Sequence, residues 1–264
     1  MIHGNPQTHA MWHETAPRLA DQFTVYCPDL RGYGLSPKPP ASADSAAYAK
    51  REMAKDMIAL MDHFSHNQFS IVSHDRGARA AHRLALDHPD RVKRLAVLDI
   101  VPTLEHFERT DMAFARAYAH WFYLAMPAPF PEDLIQANPQ NWLRHHCGRP
   151  TAPEDLFHPD AFADYLSCIN DPLVVQGICE DYRAAAGIDL EHDRASRKEG
   201  QRLNCPLLVL WGQDGIIGRF YDPVALWRAY SNDQVTGYAI NAGHYLAEQA
   251  PKETLARILP FLND

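Results

Sequence analysis

Short apolar runs rich in β-branched residues alternate along the chain with stretches whose apolar positions recur every three to four residues, the pattern of a parallel sheet covered by helices on both faces. Phe23-Thr24-Val25-Tyr26-Cys27 predicts a strand running into the turn Pro28-Asp29-Leu30-Arg31-Gly32-Tyr33-Gly34. Over residues 49–64, Met53, Met57, Ile58, Leu60, Met61 and Phe64 fall on one helical stripe. A strand at 69–73, a helix from Arg76 to about Asp87, and strands at 94–98, 207–211 and 235–240 follow, closed by an amphipathic helix over 251–262. Between about 103 and 202 no strand pattern appears. Aromatics cluster there, and Pro127, Pro129, Pro131, Pro139, Pro150 and Pro153 punctuate helical segments. The expected organisation is a core formed by 1–102 and 203–264 with a helical cap, 103–202, inserted between two core strands.

Composition narrows the function. With 264 residues, 46% apolar and 22% charged, the chain has ordinary globular composition. Lys and Arg total 25 against 33 acidic residues, a net charge of −8 that gives no electrostatic reason to expect nucleic acid or an anionic membrane as partner. A small anionic substrate would need local arginines. Cys27, Cys147, Cys168, Cys179 and Cys205 are scattered, odd in number and lack a C-x-x-C pair, which predicts neither disulfides nor zinc and a cytoplasmic setting. No apolar run approaches a membrane span and no signal-peptide pattern opens the chain. Fifteen histidines, including His145-His146, show no metal-ligand spacing, and no glycine-rich phosphate loop follows a strand; no metal or cofactor is expected.

Chemistry concentrates in Ile71-Val72-Ser73-His74-Asp75-Arg76-Gly77-Ala78-Arg79, a strand, tight turn and helix with an acid at the apex. That is the context of a nucleophile elbow. A serine there would need a base; Asp75 is already ionised and attacks an alkyl carbon directly, leaving an ester whose carbonyl is the enzyme's own. Arg76 and Arg79, one and four residues further on, suit a substrate carboxylate, whose planar oxygens match guanidinium forks. The plainer alternative is an Asp75–Arg79 ion pair on a helix surface.

These residues resemble those of the α/β-hydrolases, and within them the haloacetate dehalogenase family, most closely the fluoroacetate dehalogenases. His3-Gly4-Asn5-Pro6 resembles the oxyanion loop, Asp29-Leu30-Arg31-Gly32-Tyr33-Gly34-Leu35-Ser36 the signature that follows it, and Asp75-Arg76-Gly77-x-Arg79 the nucleophile segment. The resemblance implies an α/β-hydrolase fold, Asp75 as nucleophile, and His244, in Asn241-Ala242-Gly243-His244-Tyr245, as the base that activates water. It further implies that His120, Trp121 and Tyr182 receive the halide; all three are donors without a permanent charge. An amphipathic cap helix that merely buries Trp121, Phe122 and Leu124 is the alternative for that segment.

The acid partner of His244 is either Asp99, ending the strand at 94–98, or Asp214 in Trp211-Gly212-Gln213-Asp214-Gly215. The resemblance favours Asp99. Oxyanion donors are expected from the backbone N–H groups of Asn5 and Arg76. Only Met1 and Ile2 precede His3, so the start reads as clipped: either the protein begins upstream, or sheet strands that a full-length relative would possess are absent, which would expose a sheet edge and leave Asn5 weakly anchored. The function implied is hydrolysis of a small haloacid, fluoroacetate foremost. An epoxide hydrolase sharing the aspartate nucleophile and a non-catalytic small-acid-binding member are the alternatives. A homodimer is compatible with a sequence that sets no subunit number.

Overall fold

The computed structural model describes residues 1–147 and 156–264; Pro150 and Pro153 lie outside the described residues. Four parallel strands, β1 (Phe69–His74), β2 (Val92–Leu98), β3 (Leu207–Gly212) and β4 (Val235–Ile240), pair in sequence order. Leu95 to Leu98 and Leu207 to Leu210 are almost completely buried, as expected of central strands covered on both faces.

Helices flank the sheet. In chain order they begin with α1 (Ala16–Leu19), α2 (Lys50–His63) and α3 (Asp75–Asp87). The α2 stripe is narrower than its spacing predicts: Met53 and Met57 are buried, but Phe64 is exposed. Every residue of α3 from Asp75 to Leu86 is buried. Its small residues, Gly77, Ala78, Ala80 and Ala81, permit this close approach to the sheet.

Between β2 and β3 every described element is a helix: α4 (Thr103–Glu108), α5 (Met112–Ala117), α6 (Ala119–Tyr123), α7 (Phe130–Gln136), α8 (Pro139–Cys147), α9 (Pro159–Ile169), α10 (Pro172–Ala186) and α11 (Ile188–Lys198). Of the described prolines that punctuate the pattern, Pro129 caps α7, Pro131 lies in its first turn and Pro139 opens α8, while Pro127 lies in the connection before α7; Pro159 and Pro172, which the pattern does not single out, open α9 and α10, where the missing N–H costs no hydrogen bond. The chain returns to the core with α12 (Ile216–Phe220), α13 (Pro223–Ala229), α14 (Leu246–Gln249) and α15 (Pro251–Asn263).

The expected strand at 23–27 is not one. That segment joins no ladder, although the Met1 ammonium donates to the Tyr26 carbonyl. Phe23, Thr24, Val25 and Tyr26 instead line a groove of about 450 Å³ that also includes Ile71, Met57 and Phe69. The chain start is also better anchored than expected. Ile2 bridges β1, donating to the Val72 carbonyl at 2.9 Å and accepting from His74 N–H at 3.0 Å.

Candidate active site

The site begins where β1 turns into α3. Asp75 is held at φ +43°, a conformation costly for a residue with a Cβ, so the surrounding contacts must enforce it. Gly4 lies so close that an added Cβ would stand 2.5 Å from the Asp75 Cβ, which only glycine avoids. This contact brings the Asn5 backbone N–H to donate to Asp75 Oδ1 at 3.0 Å. His3 secures the loop through its ring, with Nδ1 donating to the Gly4 carbonyl and Nε2 accepting from the Leu30 N–H, both at 2.9 Å. Asp29 completes the support by accepting from the N–H groups of His9 and Leu35. The Asp29-Leu30 turn is therefore scaffolding for the Asn5 loop.

His244 follows β4 and faces Asp75, its Nε2 3.9 Å from Asp75 Oδ2. Its Nδ1 lies 2.6 Å from Asp99 Oδ2. Asp99, at the end of β2 and itself at φ +53°, is fixed by accepting the Gly212 N–H at 2.9 Å. Asp214 lines the same cavity without a hydrogen bond to His244, its backbone N–H going to the Ala242 carbonyl. Of the two acids left open by the sequence, the geometry pairs His244 with Asp99.

Electrostatics follow from burial and neighbours. Burial alone would raise the Asp75 carboxyl, but His244, His74, Arg79 and Arg76 hold it far below the usual range, so it is ionised. Burial, the largest influence on His244, lowers its pKa; the Asp99 hydrogen bond and the charges of Asp99 and Asp75 outweigh that and raise it. Burial pushes His74 down to about 3, so it is neutral and donates from Nε2 to the His244 carbonyl at 2.9 Å.

The two arginines differ. Arg76 is fully buried and turned onto Asp181: Nε donates to Oδ2 at 2.9 Å, and Nη2 to Oδ1 at 2.7 Å and to the backbone carbonyl at 2.9 Å. Lys50 Nζ and the Tyr33 hydroxyl also donate to the Asp181 carboxylate. Arg79 has no such carboxylate; its Nη1 donates to the Val101 carbonyl and Thr103 Oγ1, both at 3.1 Å. Burial pushes Arg79 down to about 10, with Asp75 opposing, which leaves it protonated at neutral pH. The surface ion-pair reading of Asp75 and Arg79 is excluded, because both are buried.

Arg79 lies 4.4 Å from the Trp121 ring centre and Arg76 4.2 Å from that of Tyr182. Among the described residues, three buried nitrogens in this cluster have no hydrogen-bond partner: Arg76 Nη1, Arg79 Nε and Trp121 Nε1. A cavity of about 360 Å³ is lined by Asn5, Asp75, His120, Tyr182, His244 and others; Arg76, Arg79 and Trp121 stand behind the residues that line it. His120 is neutral, burial and the neighbouring His146 holding its pKa well below the usual value. All the residues singled out from sequence thus gather around one cavity or behind its wall. Sequence reasoning missed Asp181, Lys50, His74, Tyr118 and His146; Asp181 stands beside Tyr182, but nothing in a linear pattern marks its partners. Among the described residues no group of side chains is arranged to hold a metal ion.

An α/β core, a strained acid at a strand–helix turn, and a histidine–aspartate pair on the following strands define a hydrolase of the α/β-hydrolase fold, and the chain belongs to that family: the family model for this fold matches residues 1–251. Among characterised proteins it is similar to a fluoroacetate dehalogenase from Burkholderia sp, 40% identical over 100% of this chain and 86% of that protein. It is also similar to a soluble epoxide hydrolase from Corynebacterium sp. (strain C12), 28% identical over 99% of this chain and 88% of that one. A crystal structure assigned to the α/β-hydrolases, from Nostoc sp PCC 7120, superposes with a TM-score of 0.96 at 51% identity, covering 99% of this chain and 89% of its own.

Proposed function

We propose that the protein is a cofactor-free haloacetate dehalogenase, with fluoroacetate its leading substrate. The observation that carries this reading is the set of buried N–H groups without protein partners, Arg76 Nη1, Arg79 Nε and Trp121 Nε1, beside an ionised aspartate. Donors left unpaired at that depth are costly unless a ligand uses them. A carboxylate with a polar leaving group on the adjacent carbon matches their charge and number.

In the first step an Asp75 oxygen forms a bond to the α-carbon as the carbon–halogen pair departs with the halide. His120, Trp121 and Tyr182 donate to the developing halide charge without binding it as a permanent counter-ion. Fixing the substrate carboxylate on the arginines aligns carbon and nucleophile, an effect worth up to about 7–11 kcal/mol in well-oriented systems. His244 then takes a proton from water, whose oxygen adds to the ester carbonyl of Asp75. The 3.9 Å between His244 Nε2 and Asp75 Oδ2 is too long for a direct hydrogen bond and suits a base that works through water. The oxyanion is met by Asn5 N–H and by the Arg76 N–H, one of the first-turn donors of α3 that lack an intrahelical acceptor. Collapse passes the proton on His244 to the departing glycolate oxygen, and the water's second proton, left on the Asp75 carboxyl, is lost to solvent, which restores the carboxylate.

Epoxide opening is the second reading. It is favoured by Tyr118, which lines the cavity with Tyr182 and gives two phenols able to protonate an alkoxide, and by the epoxide hydrolase relatives. Ion-selective measurement of fluoride and chloride from the two haloacetates, with Asp75→Asn as control, separates these. Halide release that survives the substitution refutes the mechanism; epoxide turnover without halide release selects the second reading. Single turnover in heavy-oxygen water should label Asp75, and an unlabelled carboxylate with product formed overturns the covalent step.

A further inference from the structure

Asn5 occupies a junction that the reaction as described uses only through its backbone. Its side chain is 2% exposed and touches both parts of the molecule. Nδ2 lies 3.0 Å from His146 Nε2, on cap helix α8, and 3.4 Å from the hydroxyl oxygen of Tyr182, on cap helix α10. His146 is held in turn by stacking on Trp142, with ring centres 4.6 Å apart and planes 19° from parallel, and by an edge contact with His120 at 4.8 Å.

Hydrogen-bond directions then become determinate. An amide nitrogen only donates, so His146 Nε2 must present its lone pair, which places that ring's proton on Nδ1. The second N–H points at the Tyr182 oxygen and makes that oxygen an acceptor. Tyr182's own proton is thereby directed elsewhere, toward the cavity its ring lines. Turning the amide over would give His146 Nε2 an oxygen instead of a donor and take the N–H from Tyr182. Among the described residues the Asn5 Oδ1 has no partner, so the amide is held in this orientation by the two contacts of its Nδ2, of which that to His146 is the shorter.

We infer that His146 is a positioning residue for the displacement step: by accepting from Asn5 Nδ2 it fixes the Asn5 side chain and, through it, the direction in which the Tyr182 hydroxyl donates. The inference rests on the dehalogenase reading for its kinetic consequence but not for its hydrogen-bond geometry. Two cap helices are tied to the loop whose backbone N–H bonds Asp75, so the leaving-group donor and the nucleophile are set in register by one amide.

The test compares His146→Leu, which keeps bulk and loses the acceptor, with His146→Gln, whose Oε1 accepts from the same amide. With fluoroacetate, His146→Leu should lower kcat at least tenfold with KM within about threefold, while His146→Gln stays within about threefold of the parent in both. The ratio of fluoride to chloride release should fall in His146→Leu alone, because fluoride depends more on a directed donor. A structural role would impair both variants and leave that ratio unmoved; equal impairment, or a His146→Leu enzyme with the parent ratio, overturns the inference. Nitrogen NMR of the His146 ring in the unmodified protein supplies the readout that needs no substrate: the neutral form with its proton on Nδ1 is expected. A proton on Nε2 refutes the inference whatever the enzyme turns over, and absence of halide release by the parent refutes the dehalogenase reading separately.

Discussion

Asp181→Asn removes one negative charge from the interior while leaving shape almost unchanged, and the cost follows from what surrounds it. The carboxylate accepts from Arg76 Nε at 2.9 Å, Arg76 Nη2 at 2.7 Å, Tyr33 at 2.8 Å and Lys50. Arg76 and Asp181 are fully buried and Lys50 is 4% exposed, so no water replaces the lost charge. An asparagine would also set an NH2 group against donors. Breaking a buried ion pair by removing one partner costs about 3–5 kcal/mol, which corresponds to roughly 6–20 °C in melting temperature for a chain of this size. Calorimetry at neutral pH reads that shift. The charge origin has its own signature in pH. In the variant Lys50 keeps the two influences that lower it, burial first and Arg76 second, and loses Asp181, the first of those that raise it. Its folded pKa then lies further below the unfolded value of about 10.4. The unfolded state binds the extra proton in that window, so the deficit should shrink as pH rises toward 10. A melting temperature within 2 °C of the parent, or a deficit independent of pH between 7 and 10, would refute the reasoning.

Asp99→Asn should slow ester hydrolysis by on the order of 10³–10⁴-fold and Asp214→Asn far less, read as trapped Asp75 ester by mass spectrometry; the opposite ranking would transfer the role to Asp214. In the parent, hydrolysis should rise with pH as His244 loses a proton held above its ordinary 6.5, and that limb should move to lower pH in Asp99→Asn, since Asp99 provides the largest raising influence. Trp121→Phe keeps an aromatic packed by Arg79 and deletes the unpartnered Nε1–H; fluoride release should drop roughly 10²-fold and bromide release much less, as measured with ion-selective electrodes. Glu248, which accepts from Gln7 and from the Tyr165 hydroxyl, is raised to about 8 by burial, so the folded state holds its proton more tightly than the unfolded one. Stability is lost as pH rises from about 4 to 8, and Glu248→Gln should melt above the parent at pH 9 and with it at pH 4; a gap of constant size would assign the effect to packing.

What the sequence made legible was whatever repeats locally. The strands at 94–98 and 207–211 were readable because central parallel strands require apolar runs, those at 69–73 and 235–240 from shorter apolar patterns at the edges of the sheet, and the elbow because an acid between a strand and a helix leaves few alternatives. The expected strand at 23–27 failed for a different reason: a short apolar run shows that a segment is extended and packs on apolar neighbours, and the wall of a groove satisfies that without any ladder. Choosing Asp99 over Asp214 needed the geometry, since both sit at strand ends and only the crossing from β2 to the His244 loop brings one within 2.6 Å. His146 and Asp181 were beyond reach for a different reason. Their partners, Asn5 and the Arg76–Lys50 pair, lie 141, 105 and 131 residues away, and a spacing that large carries no periodic signal.

The arginine pair shows why position in a motif does not fix a side chain's task. Both stand in the first turns of α3 beside Asp75, and both are buried. Arg76 already has a carboxylate of its own, so the substrate anion of the proposed reaction would meet it as one remaining N–H of a compensated pair. Arg79 has only neutral oxygens and the nearby Asp75; burial lowers its pKa, and Asp75, the largest opposing influence, does not offset it. An arriving carboxylate would complete that offset, yet it must also approach an ionised nucleophile of like charge. The uncompensated cation makes that approach tolerable, while Arg76, locked by Asp181, holds Tyr182 in place at 4.2 Å beneath its ring. On the haloacetate reading proposed above, attraction of the anion would therefore fall mainly to Arg79, and the shape of the leaving-group wall to Arg76.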